Sequence, residues 1–418
     1  EVEVDVAVMG GGMTGLSTAL ALREQGLSVA VLERKFAGYG ASGRNAGHVT
    51  PTIGKDFPTL KTLYGSERST ALVRLVSGAI EHVEEMIRKH AIDCAYEPVG
   101  NVLAAVHEKQ YATLDAEARA ASELGLEGDL LDAAEMRRRG LPRAFTRGYL
   151  ERRGGILHPG RYVRGLKRAT LRAGASLFEN TPVIAIEEGR RIVLATPEGR
   201  VSSDHLVLAT NAYTGETGFL KYKVLRLYVY LFQTEPLTES QRSAVGWRGR
   251  EGIYTAHQIL ESYRLTDDDR IVGGAKIVRY GYGGRCVDDD PATFGRLEEA
   301  FRDRFPELRN IPIAARWGGP IGFTLDFLPA VGRTGKHRNI FYSVGYAGHG
   351  IPLASFAGSM IADLMLRRRG PGDALTSRRQ IPLPPEPFRW LIFKTLTGIF
   401  ESIDRRVDRT VRRRERPA

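Results

Sequence analysis

Three glycines and one acid are the first residues of this chain whose types and spacing could do chemistry. Gly10, Gly12 and Gly15 form G-x-G-x-x-G, with Met13 and Thr14 inside it, and Glu33 and Arg34 follow at the end of the next apolar run. The first glycine permits a tight turn, and the second lets backbone approach a pyrophosphate. The third packs a helix against a sheet, so that the helix N-terminus faces the anion. A carboxylate at Glu33 can accept hydrogen bonds from both hydroxyls of an adenosine ribose, which argues against a 2′-phosphate there. The chemistry is dinucleotide binding, with FAD or NAD favoured over NADP.

A second constellation stands near the far end. Gly345-Tyr346-Ala347-Gly348-His349-Gly350 is a glycine turn between an apolar strand and an apolar helix. An ordinary NAD enzyme has no need of it. FAD is longer, and its ring must be held far from the adenine. Amides of such a turn and the helix N-terminus behind it suit the electron-rich N1–C2=O edge of reduced flavin. Leu208-Ala209-Thr210-Asn211-Ala212, an apolar strand running into small residues, is a further place where backbone can approach a cofactor.

The elements that must position these residues read as follows. Val4–Met9 and Leu27–Leu32 are β-branched apolar runs flanking a helical pattern that ends near Gln25, which makes a βαβ unit. Residues 36–49 are too rich in Gly and small polar residues for regular structure. Helices are expected at 66–93, 108–123, 132–139, 159–173 and 291–304, with strands near 175–178, 182–188 and 190–208. Strands dominate from 220 to 315: Val224–Phe232, Gly252–Leu260, Ser262–Leu265 and Ile271–Ile277. A strand at Ile340–Val344 and a helix to about Leu366 follow.

At 418 residues the chain is long enough for two domains, and 42% apolar with 26% charged residues is ordinary for a globular protein. No apolar run is long enough to span a bilayer. Cys94 and Cys286 stand in unrelated contexts, imply neither a disulfide framework nor a metal site, and fit a reducing cytoplasm. The chain starts at Glu1, almost on the first strand, which leaves a removed leader open. Net charge is +11, with much of the excess in Arg367–Arg369 and in the tail from Arg405 to Arg416. No basic stripe with interleaved aromatics occurs in the folded region, so nucleic acid is not expected as a partner.

Taken together, Gly10–Gly15 with Glu33, Gly40-Ala41-Ser42-Gly43-Arg44-Asn45-Ala46-Gly47, Leu208–Ala212, Asp326-Phe327-Leu328-Pro329 and Gly345–Gly350 resemble the FAD-dependent D-amino acid oxidase-like superfamily. Within it, ASGRNAGHV, Ser262-Tyr263-Arg264-Leu265 and GFTLDFLPAVG look most like the gamma-glutamylputrescine oxidase and sarcosine oxidase branch. The resemblance implies an α/β fold: a Rossmann-like FAD-binding domain from residues 1–50, 151–220 and 316–370, and a second α+β substrate domain on a mixed or antiparallel sheet from 51–150 and 221–315. It implies oxidation of an amine or amino acid, with hydride passing to flavin N5, hydrolysis of the imine, and reoxidation by oxygen to give peroxide. A dehydrogenase passing electrons to a membrane quinone, or a noncatalytic FAD-binding subunit, are the alternatives.

By the same resemblance Ser42, Arg44, Asn45, Ala46, Gly47 and His48 wrap the cofactor. Val183, Ala209, Thr210, Gly322, Gly348, His349 and Gly350 meet it elsewhere. His48 and His349 are ring-side candidates for catalysis, and Lys276 falls where sarcosine oxidases carry a lysine for oxygen activation. Tyr254, His257, Tyr263 and Arg264 are expected to face the substrate. Pro320 or Ile321 stands about where some relatives have a flavin-linking cysteine, so the FAD is expected to be noncovalent.

Residues 371–418 lie outside the flavin core. Trp390, Leu391, Phe393, Leu396, Ile399, Phe400, Ile403 and Val407 give one apolar helical face beside Lys394, Arg405, Arg406 and Arg409. Through residues 385–409 this helix could lie on an anionic membrane, dock a partner protein, or pack back on its own domain. The expected location is the cytoplasm, with a peripheral place at the inner face of the membrane as the variant.

Overall fold

The computed structural model describes residues 1–285, 287–376 and 380–414, with side chains of the last helix described to Val411. Cys286 and Arg416 lie outside the described residues. Among these residues the strands form two eight-stranded sheets and a two-stranded ribbon, His48–Val49 with Gly155–Ile156.

The first sheet grows outward from Val2–Met9, which pairs in parallel with Val29–Leu32 on one side and Gly199–Leu208 on the other. Ser176–Phe178 extends the parallel order at one edge and Ile340–Val344 at the other, where Ala330–Thr334 closes it antiparallel. Alternation along these strands sorts their side chains to two buried faces. Val6, Val8, Val29, Val31 and Val207 pack with Leu22 and Ile361 on the helical side. Ala7, Ala30, Leu32, Leu206 and Leu208 pack with Ile192 and Leu194 on the other. Helix Met13–Glu24 lies against helix Gly350–Met365, where the Ser17 hydroxyl donates to the Ala354 carbonyl at 3.1 Å. The two glycine-led helices therefore sit side by side, and both of their N-termini border the main cavity.

The second sheet runs Ile313–Phe323, Leu225–Thr234, Ile271–Arg279, Ser262–Leu265, Gly252–Thr255, Asn101–Ala105, Arg147–Glu151, Gly128–Leu131. Neighbours are antiparallel except Gly252–Thr255 beside Asn101–Ala105. Tyr230, Phe232 and Tyr263 point to one face, where they meet Phe294, Phe301 and Phe305 of and after helix Pro291–Arg304. Leu227, Val229, Leu231, Tyr254 and Ser262 point to the other, into the main cavity. Ile313–Phe323 belongs wholly to this sheet, so a boundary at 316 would cut one of its strands.

Two helices differ from the sequence expectation. The long helix runs Phe57–Lys89, beginning well before 66, because Asp56 caps it by accepting from the Thr59 amide at 2.9 Å and Pro58 sits in its first turn. Gly65, in the left-handed region at φ 74°, breaks it internally. The last helix is Phe388–Arg414. Of the three expectations for it, packing back on the chain is what the structure shows: Asp404 accepts from the Gln258 and Ile259 amides at 2.8 and 2.9 Å, and Val407 and Val411 pack on the aromatic core.

Candidate active site

One cavity of about 900 Å³ runs between the two sheets. Its construction starts at Gly10, at φ 110°, where a Cβ would stand 2.7 Å from the Ala209 carbonyl oxygen. A Cβ on Gly12 would meet the Ser42 hydroxyl at 2.8 Å, and one on Gly15 would meet the Gly10 carbonyl at 1.8 Å. Each glycine therefore permits a close approach that no side chain allows. No acid occupies the first turn of Met13–Glu24, whose N-terminus stays electropositive toward the cavity. The Glu33 carboxylate accepts from the amides of Gly11 and Lys35 at 2.8 and 2.9 Å, which aims it at the cavity with lone pairs to spare. Beside it Arg34 lies over the Tyr213 ring at 4.1 Å and pairs with Glu216 at 3.1 Å.

The 40–49 segment is not wholly irregular. Ala41–Arg44 is one helical turn, closed by the Asn45 amide donating to the Ala41 and Ser42 carbonyls at 3.1 and 2.9 Å. Ser42 accepts from the Met13 amide at 2.9 Å, and Arg44 donates to the Tyr39 and Gly318 carbonyls at 2.8 and 2.7 Å. Arg264, which does not line the cavity, donates to the Ala46 carbonyl at 2.7 Å from beneath. Burial brings its guanidinium down to about 10. It fixes the loop and stands outside the cavity lining.

His48 ends this segment. Asn101 donates its amide hydrogens to the Val49 and Gly155 carbonyls at 2.8 and 3.1 Å, so its oxygen must accept from His48 Nδ1 at 2.9 Å. That assigns the proton to Nδ1 and leaves Nε2 a bare acceptor, buried and without a partner. Burial pushes the imidazole down to about 4, so it is neutral at ordinary pH. His349 has the same character. Its Nδ1 donates to the Ala347 carbonyl at 3.1 Å, burial lowers its pKa, and it precedes the N-terminus of Gly350–Met365.

Gly10, Gly12, Met13, Thr14, Glu33, Arg34, Ser42, Arg44, Asn45, Ala46, Gly47, His48, Val183, Ala209, Thr210, Gly322, Gly348, His349 and Gly350 all line the one cavity, as does Tyr254. Gly15 does not, being taken up by helix–strand packing. The glycine cradle, the ribose-facing acid and the second electropositive helix start fit a dinucleotide as long as FAD. Pro320 and Ile321 line the cavity, and Cys94 does not.

Three expectations for the substrate end are corrected. Lys276 is not at the cavity. Ala275 stands in the left-handed region at φ 69° beside a register shift in the neighbouring strand, so Ala275 and Val278 face the cavity while Lys276 turns behind the sheet. There its ammonium donates to Glu261 at 2.7 Å and Asp408 at 2.9 Å. Burial alone would lower its pKa, but the two carboxylates outweigh that and hold it above its usual range. Arg304 donates to the same two acids at 3.0 Å each. His257 also joins this cluster, through Asp408 at 3.2 Å and Thr255 at 2.7 Å. Tyr263 falls on the sheet face opposite Ser262 and donates to Glu261 at 3.1 Å.

Two features had escaped the sequence reading. Leu383, Pro384, Arg389, Ile392, Phe393, Leu396, Thr397 and Phe400 bring the C-terminal helix into the cavity wall. Glu151 is buried on the same sheet face as Tyr254, beside its hydroxyl, and its carboxylate has no hydrogen-bond partner of good geometry. Burial raises its carboxyl to about 7.

Comparison with known proteins meets this geometry. Residues 5–364 match the model of the FAD dependent oxidoreductase family, DAO. Gamma-glutamylputrescine oxidoreductase of Escherichia coli (strain K12) is 32% identical over 388 residues, covering 92% of this chain and 88% of that protein. Sarcosine oxidase subunit beta of Rhizobium meliloti (strain 1021) is 26% identical over 378 residues, covering 87% and 84%. The crystal structure of glycine oxidase from Geobacillus kaustophilus superposes with a TM-score of 0.76 at 21% identity, covering 91% of this chain and 100% of that one. The chain belongs to the DAO family of FAD-dependent oxidoreductases.

Proposed function

We propose that the chain oxidises the C–N bond of an amine or amino acid, with FAD held noncovalently. The observation that supports this reading is the single cavity, continuous from the Gly10–Gly15 turn and Glu33 to an end walled by Tyr254, His349 and apolar side chains. In this reading residues 1–50, 151–220 and the segment after Phe323 form the cofactor domain, and 51–150 with 221–323 supply the substrate domain. Bound FAD supplies the acceptor for the hydride on the carbon beside the substrate nitrogen. The start of Met13–Glu24 neutralises pyrophosphate charge, and Glu33 takes the ribose hydroxyls. Amides at the start of Gly350–Met365 stabilise negative charge at the far end. His349, its proton held on Nδ1 by the Ala347 carbonyl, orients an amine by accepting from its N–H at Nε2. It need not carry a proton away, because a neutral amine itself supplies the electrons.

Among the cavity-lining residues the acids are Glu33 and Glu216, both at the adenosine end. No carboxylate waits at the substrate end for a second ammonium. The reading therefore favours a substrate whose body beyond the reacting nitrogen is apolar, neutral or anionic over a free diamine. The test is an anaerobic titration of the purified flavoprotein with monoamines, free polyamines, gamma-glutamylated amines and D- and L-amino acids, followed by admission of air. Loss of the yellow band with a monoamine, an acylated amine or an amino acid supports the reading. Peroxide on reoxidation identifies oxygen as the acceptor. Bleaching by free diamines in preference to all others, or by no amine at all, overturns it.

A further inference from the structure

The C-terminal helix Phe388–Arg414 has two faces with opposite fates. Its inner face is fully engaged. Asp404 caps the Gln258 and Ile259 amides, Asp408 joins the Lys276 and Arg304 cluster, and Phe393 and Phe400 wall the cavity. Its outer face carries Phe388, Leu391, Ile392, Leu396, Ile399 and Ile403, each between 42 and 62% exposed. At 100° per residue these six fall within one stripe of the helix. Six large apolar side chains in one stripe are more than scattered surface hydrophobics require.

Charge is sorted across the same helix. Its acids are all occupied: Asp404 and Asp408 point inward, and Glu401 pairs with Arg296 at 3.5 Å. Its exposed cations, Lys394, Arg405, Arg406 and Arg409, flank or interrupt the apolar stripe, on a chain whose net charge is +11. Apolar stripe, basic flank and inward acids are what an interfacial helix presents to anionic lipid headgroups. A protein partner of this face would need a complementary acidic rim, and a second copy of this chain would bring the same cations against themselves. Among the described residues no helix is long and apolar enough to cross a membrane, so the helix lies on the surface and does not span it.

We infer that the outer face of Phe388–Arg414 docks the enzyme on an anionic bilayer, with the cavity mouth turned to the lipid. Ile392, Leu396 and Leu325 are at once exposed and cavity-lining, so the docked face and the mouth coincide. An apolar electron acceptor or substrate dissolved in the bilayer then enters without crossing water. That consequence rests on the proposed reading of the cavity, whereas the docking itself does not.

The test is cosedimentation of the full-length flavoprotein with phosphatidylglycerol/phosphatidylcholine vesicles and with phosphatidylcholine vesicles alone. Binding is expected to the anionic vesicles, and to weaken as salt rises. The triple change Lys394→Gln, Arg405→Gln, Arg409→Gln should weaken it about a hundredfold, near fivefold per charge. Leu391→Ser with Ile399→Ser should abolish it, while flavin content and melting temperature stay at wild-type values because neither side chain is buried. Absence of binding to anionic vesicles overturns the inference. So does equal binding to both vesicle types, or a dimer in solution that dissociates on Leu391→Ser with no vesicle binding. None of these readouts involves turnover, so they are separable from failure of the amine reading.

Discussion

Asp408→Asn isolates what holds the C-terminal helix to the enzyme. The Asp408 carboxylate receives Lys276 at 2.9 Å, Arg304 at 3.0 Å and His257 at 3.2 Å, within a cluster of two cations and two carboxylates. Burial would raise its pKa, but the His257 hydrogen bond and the two cations hold it well below the usual carboxylate range. Replacing it with an amide leaves Lys276 and Arg304 sharing Glu261 alone, with one buried positive charge uncompensated. Breaking a buried pair in this way costs roughly 3–5 kcal/mol, and the lower end applies because Asp408 keeps partial contact with water. The loss should fall first on the helix, since Asp408 is its contribution to the cluster. Hydrogen exchange across residues 388–411 should accelerate about a hundredfold, equivalent to about 3 kcal/mol of local opening, while Val2–Met9 stays protected. The Michaelis constant should rise because the helix walls the cavity, and bound flavin should persist. A pH series adds a signed check. A carboxylate with a lowered folded pKa contributes stability above its unfolded pKa and loses it as pH falls. Wild-type helix protection should therefore fade below about pH 4, the unfolded aspartate value, and the variant should show no such step. Unchanged exchange over 388–411 in Asp408→Asn would refute the anchoring role.

Two further outcomes follow from the same geometry. Gly10→Ala places a Cβ 2.7 Å from the Ala209 oxygen at φ 110°, so the variant should purify with little flavin, read from the flavin-to-protein absorbance ratio; wild-type content would contradict the cradle. Burial pushes the Glu151 carboxyl up from an ordinary 4.5 to about 7, so the folded state binds the extra proton and stability declines as pH rises between those values. The decline is about 3 kcal/mol at 1.36 kcal/mol per unit. Glu151→Gln should remove it, and an unchanged melting-temperature difference between pH 4.5 and 8 would count against a buried, neutral Glu151.

What the sequence disclosed was local. The Gly10–Glu33 unit could be read because its glycines and acid act on their own turn and strand end, within one βαβ span. The same holds for Gly348–Gly350 at its helix start. Strand alternation carried the reading of Tyr254 but failed at Lys276, where a left-handed Ala275 and a neighbouring register shift rotate the sequence of side chains by one place. No periodicity announces such a shift. Arg264 was recognised as important but misassigned, since a guanidinium that holds a carbonyl and one that holds a substrate look identical in sequence. Asn101, which sets the His48 tautomer, and Glu151, whose titration is set by burial, depend on segments far away in the chain. The amphipathic character of 388–411 was legible, but its direction was not, because Asp404 and Asp408 read as ordinary helix-surface acids until the amides and cations they meet are in place.

The position of Lys276 also changes the argument about the electron acceptor. A lone ammonium at the cavity wall would act on developing negative charge through an uncancelled field. Here two cations, Lys276 and Arg304, face two carboxylates, Glu261 and Asp408, all within 3.1 Å contacts. Their charges sum to zero, and the field of such a compact set falls off much faster than that of a single charge. Its influence on chemistry in the cavity is therefore mechanical, exerted through the helix it anchors. The helix in turn joins the cavity wall to the exposed apolar stripe, so the feature read in the sequence as an oxygen-activating lysine belongs instead to the docking of the element that meets the outside. Oxygen reactivity, if peroxide forms, must then be built from the cavity's own groups. The helix N-terminus at Gly350 is the candidate with a standing positive end. The inferred docking at a bilayer and the identity of the electron acceptor are thus independent questions, and evidence on one does not weaken the other.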